Sequence, residues 1–227
     1  MIFKILPIVL ALGYALLFYK LSASRLKREL DQNSSELADP KLKPVLDKMA
    51  RALDLPRIRV NIYEIDPVNG LAAPDGRIFI TRGFYQKYQE GKVSAEELAS
   101  VIAHELGHVA LGHSKRRMGD FASQNAMRTA LAMILSRFIP IVGAWVANFV
   151  MSLVMARMSR DDEFEADSYA TALLLKSGIG VEPQVTLFEK LPKMTGSRGG
   201  AAPAWLLSHP KAEERIAAIE QNAEKWR

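Results

Sequence analysis

The stretch that decides the fold is residues 94–113, which read SAEELASVIAHELGHVALGH. It opens with Ser94 and Glu97, a pair with the spacing of a capping box, and apolar residues then recur at helical spacing. His104 and His108 are one turn apart on this predicted helix, so both imidazoles project from the same face. The spacing therefore predicts a helix that can hold a metal ion.

These residues also match the pattern His-Glu-x-x-His, in which two imidazoles bind one zinc ion and the glutamate acts on a metal-bound water. Glu105 lies about 100° around the helix from His104, which suits a base better than a ligand. The alternative is an amphipathic helix with an exposed polar face. We predict one zinc ion per chain, held by His104 and His108, with Glu105 as the catalytic base.

Catalytic zinc usually has three protein ligands, so a third must come from elsewhere in the chain. His113 is one residue out of register with the metzincin spacing and lies about 180° around the helix from His104, so we interpret it as structural or capping. Further along, Glu163 and Asp167 are four residues apart, so one can bind metal while the other accepts an imidazole N–H. A solvated acidic helix start is the alternative for that pair.

Composition limits the class of protein. The 227 residues are 49% hydrophobic and 24% charged, which is enough for a globular domain with a sizeable core. The absence of cysteine excludes disulfides and thiolate metal sites. The net charge is a modest +5, and no basic surface interleaved with aromatic residues accompanies it, so nucleic acid is not an expected partner.

Residues 1–28 are predicted to be a membrane anchor with a basic flank. Lys4 is the only charge from Ile2 to Tyr19, and at about 1.5 Å per residue this length nearly matches a hydrocarbon core. A cleaved signal peptide is the alternative. We expect membrane lipid as a partner and a single-pass location, in a bacterial inner membrane. The basic flank mildly favours a cytoplasmic domain and leaves its side open.

Residues 29–39 are predicted to be a linker, and residues 40–227 the catalytic domain. Hydrophobic periodicity and turn signals predict helices over about 44–53, 94–111, 162–176 and after Pro210, and strands near 58–65 and 77–81. The fold class is therefore α+β and mostly helical, with a small β-sheet and an N-terminal membrane helix.

The apolar segment 130–158 is the hardest part of the chain to assign. It has no charge from Phe138 to Met155, but Pro140 and Gly143 interrupt it. A buried core helix, a hairpin on the membrane surface and a second span all fit this composition. We favour a helix pair that packs on the catalytic domain and partly contacts lipid.

Several separated blocks together resemble the M48 group of gluzincin metallopeptidases, which includes HtpX-like, Oma1-like and Ste24-like enzymes. In chain order these blocks are Asn69–Gly83, Ala103–His113, Glu163–Asp167 and Ser208–Ile216. The resemblance covers roughly residues 40–222. It implies a zincin-like domain, zinc ligation by His104, His108 and Glu163, and Glu105 as the base. The chain lacks the additional spans of Ste24-like and HtpX-like members, which points to a small, singly anchored member.

The C-terminal block suggests two further site residues. His209 is either a helix-entry residue or a catalytic one, which donates to the developing oxyanion or gates the open metal position. Arg215 is predicted to hold the same region in place. A separate set of residues is predicted to bind an extended substrate, which would add to the sheet as a further strand. These residues are Asn69, Arg77, Ile78, Phe79, Ile80 and Thr81.

These features predict a membrane-associated zinc metalloendopeptidase that hydrolyses unfolded or misassembled membrane and envelope proteins. Its partners are then polypeptide substrates. The alternative is a zinc-containing, chaperone-like or autoinhibited module that binds proteins with little proteolysis.

Overall fold

The structure is a computed structural model. It describes residues 20–116, 142–194 and 212–226, together with residues 13, 17, 131, 132, 135, 137, 139 and 209. The predicted span from Ile2 to Tyr19 lies almost wholly outside these described residues, as does much of the segment 130–142. Among the helices that are described, none is both long and apolar enough to cross a membrane.

The predicted fold class is confirmed as a mostly helical α+β protein with a small sheet. The labelled elements, in chain order, are β1 (Ser34–Glu36), α1 (Lys43–Ala52), β2 (Val60–Tyr63), β3 (Gly70–Ala72), β4 (Ile78–Thr81), α2 (Arg82–Gln89), α3 (Ala95–Ala110), α4 (Gly143–Lys176), α5 (Glu182–Met194) and α6 (Ala212–Trp226). Residues 20–32 are also helical.

The chain divides into two compact units. One consists of residues 1–32 and 113–161, and the other of residues 33–112 and 162–227. The second unit contains the whole sheet, α3 and the functional half of α4. The domain limits expected from the sequence, with a linker over 29–39, stay a prediction, although β1 forms inside that linker.

The sheet has four strands in the order β1-β2-β4-β3. β2 and β4 are parallel, whereas β1 pairs with β2 and β3 pairs with β4 in antiparallel fashion. All four residues of β4 are buried. The reason is its position: β4 is an interior strand, and both of its faces are covered. β3 is at the edge of the sheet.

Helix α3 begins as the sequence predicts. The Ser94 hydroxyl accepts a hydrogen bond from the Glu97 N–H at 3.1 Å, and the Glu97 carboxylate accepts one from the Ser94 N–H at 2.8 Å. The helix ends before Gly112, whose φ of 73° reverses the chain. It packs against β3, β4, α1 and α5, with Leu98 and Ile102 fully buried in the core. This packing fixes the face from which its polar side chains project.

Candidate metal centre

Three elements bring the polar residues of the site together. Helix α3 supplies His104, Glu105 and His108, α4 supplies Glu163 and Asp167, and α6 supplies Arg215, with His209 a few residues before it. All seven side chains are buried, at 5% residue exposure or less. Since charged groups are rarely buried without partners, so many in one place indicate a site that binds an ion or a substrate.

Four of these residues point ligand atoms at one another: His104, His108, Glu163 and His209. Their ligand atoms all lie within 4.8 Å of one another. The two Nε2 atoms of His104 and His108 are 3.1 Å apart, because the two residues lie one helical turn apart and their side chains converge. Glu163 Oε2 is 3.3 Å from His104 Nε2, and its Oε1 is 3.4 Å from His108 Nε2. The group could therefore hold a metal ion.

The spacing of these atoms fits zinc. Zinc bonds to nitrogen and carboxylate oxygen measure about 2.0–2.2 Å, so two ligand atoms at corners of a regular tetrahedron are separated by about 3.3–3.6 Å. The two imidazole Nε2 atoms are 3.1 Å apart, and the Glu163 carboxylate is 3.3 Å from His104 Nε2 through Oε2 and 3.4 Å from His108 Nε2 through Oε1. The donor set of two imidazoles and one carboxylate is also one that catalytic zinc uses.

Asp167 and Arg215 support the first histidine. His104 Nδ1 lies 2.8 Å from Asp167 Oδ1, so an Nδ1–H that donates to this carboxylate leaves Nε2 free to bind metal. Arg215 holds the same carboxylate with two parallel bonds, from Nε at 2.5 Å and Nη2 at 2.7 Å. Its guanidinium carbon also lies 4.6 Å from the centre of the Phe188 ring.

The charges at the site favour a divalent cation. Glu105, Glu163 and Asp167 carry three negative charges when ionised, and Arg215 supplies one positive charge. Burial raises the pKa of Glu163, but the surrounding histidines outweigh it and hold that pKa well below its usual range. Burial also raises the pKa of Asp167, but Arg215 outweighs this effect and lowers the pKa. When all three carboxylates are ionised and His104 is neutral, two negative charges are left for a cation to balance.

The two histidines differ in their affinity for protons in the metal-free protein. Burial lowers the pKa of His108 to about 3. Burial acts in the same direction at His104, but Asp167 and Glu163 outweigh it and raise the pKa of His104 to about 9. A metal ion must displace the proton that His104 holds, so metal binding and proton release are coupled.

His209 lies between the two glutamates. Its Nδ1 is 2.6 Å from Glu163 Oε2 and 3.4 Å from His104 Nε2, and its Nε2 is 3.6 Å from Glu105 Oε1. Arg215 Nη1 donates to the His209 carbonyl at 3.4 Å. The residue that the sequence left as either helix-entry or catalytic is therefore in contact with the predicted ligands, and Arg215 tethers its backbone.

The predicted base packs directly against the edge of the sheet. A Cβ atom added at Gly70 of β3 would lie 2.9 Å from Glu105 Oε1 and 2.9 Å from Val101 Cγ1. The backbone of β3 thus reaches the Glu105 carboxylate because residue 70 has no side chain. Sequence reasoning gave Gly70 no role, since only the position of β3 against α3 makes it matter.

The residues predicted to bind substrate are placed differently from expectation. Ile78, Phe79, Ile80 and Thr81 form β4, which pairs with β2 on one side and β3 on the other. An added strand cannot pair with an interior strand, so a substrate that extends this sheet on the side of α3 would pair with β3 instead. The Thr81 hydroxyl caps α2 through the Phe84 N–H at 3.3 Å and bonds to Asn69, which are structural contacts.

Two histidines and a glutamate from two helices, with a second glutamate beside the first histidine in the sequence, thus form a buried group that could hold a metal ion. The chain belongs to peptidase family M48, whose family model matches residues 36–223. It is a metalloprotease family, and zinc is the metal that its members generally use.

Curated relatives agree with this assignment. The chain is 28% identical to "Metalloprotease LoiP" of Escherichia coli (strain K12), over 88% of this chain and 81% of that protein. It is 30% identical to "Metalloprotease YcaL" of the same strain, over 71% of this chain and 61% of that protein. It is also 28% identical to the "Beta-barrel assembly-enhancing protease" of Escherichia coli O157:H7, over 71% of this chain and 34% of that protein.

Proposed function

We propose that this protein is a zinc-dependent endopeptidase in which His104, His108 and Glu163 hold the metal and Glu105 is the general base. The observation that carries the proposal is the close approach of two imidazole Nε2 atoms, 3.1 Å apart, to the two oxygens of the Glu163 carboxylate, at 3.3 and 3.4 Å, which is near the separation of zinc ligands. When bound, zinc supplies a Lewis acid that lowers the pKa of water towards neutrality and polarises the scissile carbonyl.

The chain's own groups move the protons. Glu105 is buried at 1% exposure beside the cluster, so its carboxylate is positioned to accept a proton from the attacking water. The same proton is then delivered to the leaving amide nitrogen as the peptide bond breaks. Asp167 keeps His104 in the tautomer that binds metal, and Arg215 keeps Asp167 ionised and fixed in orientation.

His209 is positioned to act in one of two ways. If it donates to the developing oxyanion, His209→Ala lowers kcat by about 10²–10³-fold with KM little changed. If it instead occupies the open metal position at rest, His209→Ala is more active than the wild type. The 2.6 Å contact between its Nδ1 and Glu163 Oε2 supports the gating role, since the imidazole lies beside the carboxylate that is proposed to bind the metal. Unchanged kinetics would leave His209 a helix-entry residue.

The substrate is proposed to be an extended polypeptide that adds to β3. Thr81 N–H donates to Asn69 O, and Ala73 N–H donates to Arg77 O. Because such bonds alternate along an antiparallel pair, the N–H and C=O of Ala72 point away from β4. A substrate strand paired with β3 would therefore lie next to the strand that packs against Glu105. Recognition through backbone groups suits unfolded sequences, because it does not depend on particular side chains.

One substitution tests this docking edge. Ala72→Pro removes the outward N–H, and an edge strand tolerates proline where no ladder bond is lost. We expect KM for an unfolded or extended substrate to rise about 3- to 10-fold with kcat little changed, the effect of one lost hydrogen bond. Ala72→Ser, which keeps the N–H, is the matched control. An unchanged KM for Ala72→Pro would show that substrate does not pair with β3.

The biological setting is proposed from the sequence and from one relative's name. An apolar segment from Ile2 to Tyr19 would anchor the protein in a membrane, and a relative named for β-barrel assembly suggests substrates among envelope proteins. Deleting residues 1–28 should release the protein from membranes. If the truncated protein still resists alkaline extraction, the segment 138–155 is an anchor as well.

A second candidate function is a zinc protein that binds unfolded chains and rarely cuts them. The nearness of His209 to Glu163 supports it, because an imidazole that bound the metal at its fourth position would block substrate. Digestion of casein by purified protein, with and without a zinc chelator, separates the two functions. Chelator-sensitive cleavage with one zinc per chain supports the peptidase. Stoichiometric zinc without cleavage supports the binding module, and no zinc at all would refute both.

A further inference from the structure

We propose that Gly107 is a positioning residue that sets the distance between α3 and α4, and thereby the distance between the proposed metal ligands on the two helices. The proposal rests on the zinc site described above. It concerns a residue that the His-Glu-x-x-His pattern leaves unspecified, because either x position of that pattern can be any residue.

The space at Gly107 is closed by backbone. A Cβ atom built there would lie 2.9 Å from the Ala166 carbonyl oxygen, 3.0 Å from Ala166 Cα and 3.2 Å from Tyr169 Cβ. A side-chain tip could rotate away from such a contact, but the Ala166 atoms belong to the backbone of α4 and cannot. A methyl group at residue 107 therefore forces the two helices apart by a few tenths of an ångström.

The contact occurs at the level of the ligands. Gly107 immediately precedes His108, and Ala166 lies between Glu163 and Asp167 on α4. The same helix pair is bridged by the 3.4 Å approach of His108 to Glu163 and the 2.8 Å approach of His104 to Asp167. A displacement of α4 at residue 166 is thus transmitted to the third ligand and to the residue that orients His104.

Two further small residues lie one turn away from this contact. Ala103 on α3 and Ala170 on α4 are each four residues from the contact point, and both are completely buried. Small residues at this spacing on two helices allow their backbones to approach closely. Glycine is otherwise unfavourable inside a helix compared with alanine. Helix propensity alone predicts that Gly107→Ala is stabilising, whereas the geometry predicts a loss of metal.

The experiment compares Gly107→Ala with Leu174→Ala in the full chain. Leu174 is fully buried in α4 two turns beyond Ala166, so its truncation weakens the core without separating the helices. Zinc affinity is measured by competition with a chromogenic chelator, and the visible spectrum of the Co²⁺-loaded protein reports ligand geometry. We expect Gly107→Ala to lose at least about 10-fold in zinc affinity, a loss like that of a displaced orienting partner, and to show an altered cobalt spectrum. Leu174→Ala should lower Tm but keep zinc affinity within about 2-fold.

The outcomes separate this inference from the proposed function. Wild-type zinc affinity and cobalt spectrum in Gly107→Ala would overturn the inference while leaving the zinc site intact. An equal loss in Leu174→Ala would also overturn it, since fold stability alone would then explain the effect. A wild-type protein that binds no zinc would refute the proposed function instead. If Gly107→Ala folds only with metal, titrating its folding with Zn²⁺ replaces the competition assay, and a wild-type midpoint again overturns the inference.

Discussion

The start and the second half of α3 are both held by hydrogen bonds between polar side chains, but the partners lie at different distances along the chain. At the start, Ser94 and Glu97 cap each other across three residues. In the second half, His104 reaches Asp167 across 63 residues and lies beside His209, 105 residues away. A local sequence pattern therefore specifies the first arrangement completely, whereas the second depends on the folded core.

The two ends also differ in exposure and in what their contacts contribute. Glu97 accepts from Lys190 Nζ at 2.6 Å, but the lysine side chain is 46% exposed, so this ion pair contributes modestly. Arg215, at 1% exposure, forms its pair with Asp167 away from water. Removing one member of a buried pair is costly, because it leaves an uncompensated buried charge. We expect changes at the start to affect folding and changes in the second half to affect chemistry.

The largest effect should come from Glu105→Gln. The amide keeps the size of the side chain but cannot accept the proton, so kcat should fall at least about 100-fold while zinc content stays near one per chain. Steady-state kinetics with a peptide substrate, together with metal analysis, measure both quantities. Full activity in Glu105→Gln would refute the mechanism.

Glu163→Ala should abolish activity because the variant loses the metal, whereas Glu105→Gln keeps the metal and loses the base. Removing the carboxylate leaves two imidazoles, which should not retain zinc through dialysis against a mild chelator, because catalytic zinc generally needs three protein ligands. His113→Ala is the control, since His113 is equally buried but is assigned no ligand role. The reverse result, with zinc lost only from His113→Ala, would move the metal site.

Asp167→Asn should have an intermediate effect. The amide oxygen can still accept from His104, but the charge that pairs with Arg215 and raises the basicity of the imidazole is lost. Partners that orient ligands typically change metal affinity by about 10–100-fold, and we expect a loss in that range. Zinc competition assays measure it, and affinity unchanged from the wild type would show that Asp167 does not support the ligand.

The comparison also explains which parts of the structure could be predicted. The capping box, the helix over 94–111 and the two imidazoles one turn apart follow from short-range spacing. The pairing of Asp167 with His104 agrees with the expected partner role, but the position of His209 between Glu163 and Glu105 required the folded chain. β3 was missed because three residues carry little periodicity, and it is the edge position of β3 that makes β4 interior.

Helix α4 shows the same limit. The sequence predicted a helix over 162–176, whereas the observed helix begins at Gly143. The acidic run at 161–163 looked like a helix start because acidic residues favour that position. Here it is continued from a preceding helical segment, and Asp162 and Glu163 are buried. Charge patterns mark helix ends only where the chain before them is not already helical.

The smallest effect should come from Glu97→Ala, and it should appear in stability alone. The change removes half of the capping box and the acceptor for Lys190 and Thr186, which should lower the free energy of unfolding by about 1–2 kcal/mol.

Burial raises the pKa of Glu97, but Lys190 and the Ser94 N–H outweigh it and lower the pKa in the folded protein. A lowered folded-state pKa stabilises above the unfolded value, so the difference between wild type and variant should be constant at neutral pH and should shrink below about pH 4. Urea denaturation at several pH values measures this difference, while kcat per folded molecule should match the wild type. A loss of kcat larger than the loss of folded protein would show that the start of α3 is coupled to the metal site, and the two ends of the helix would no longer be separable.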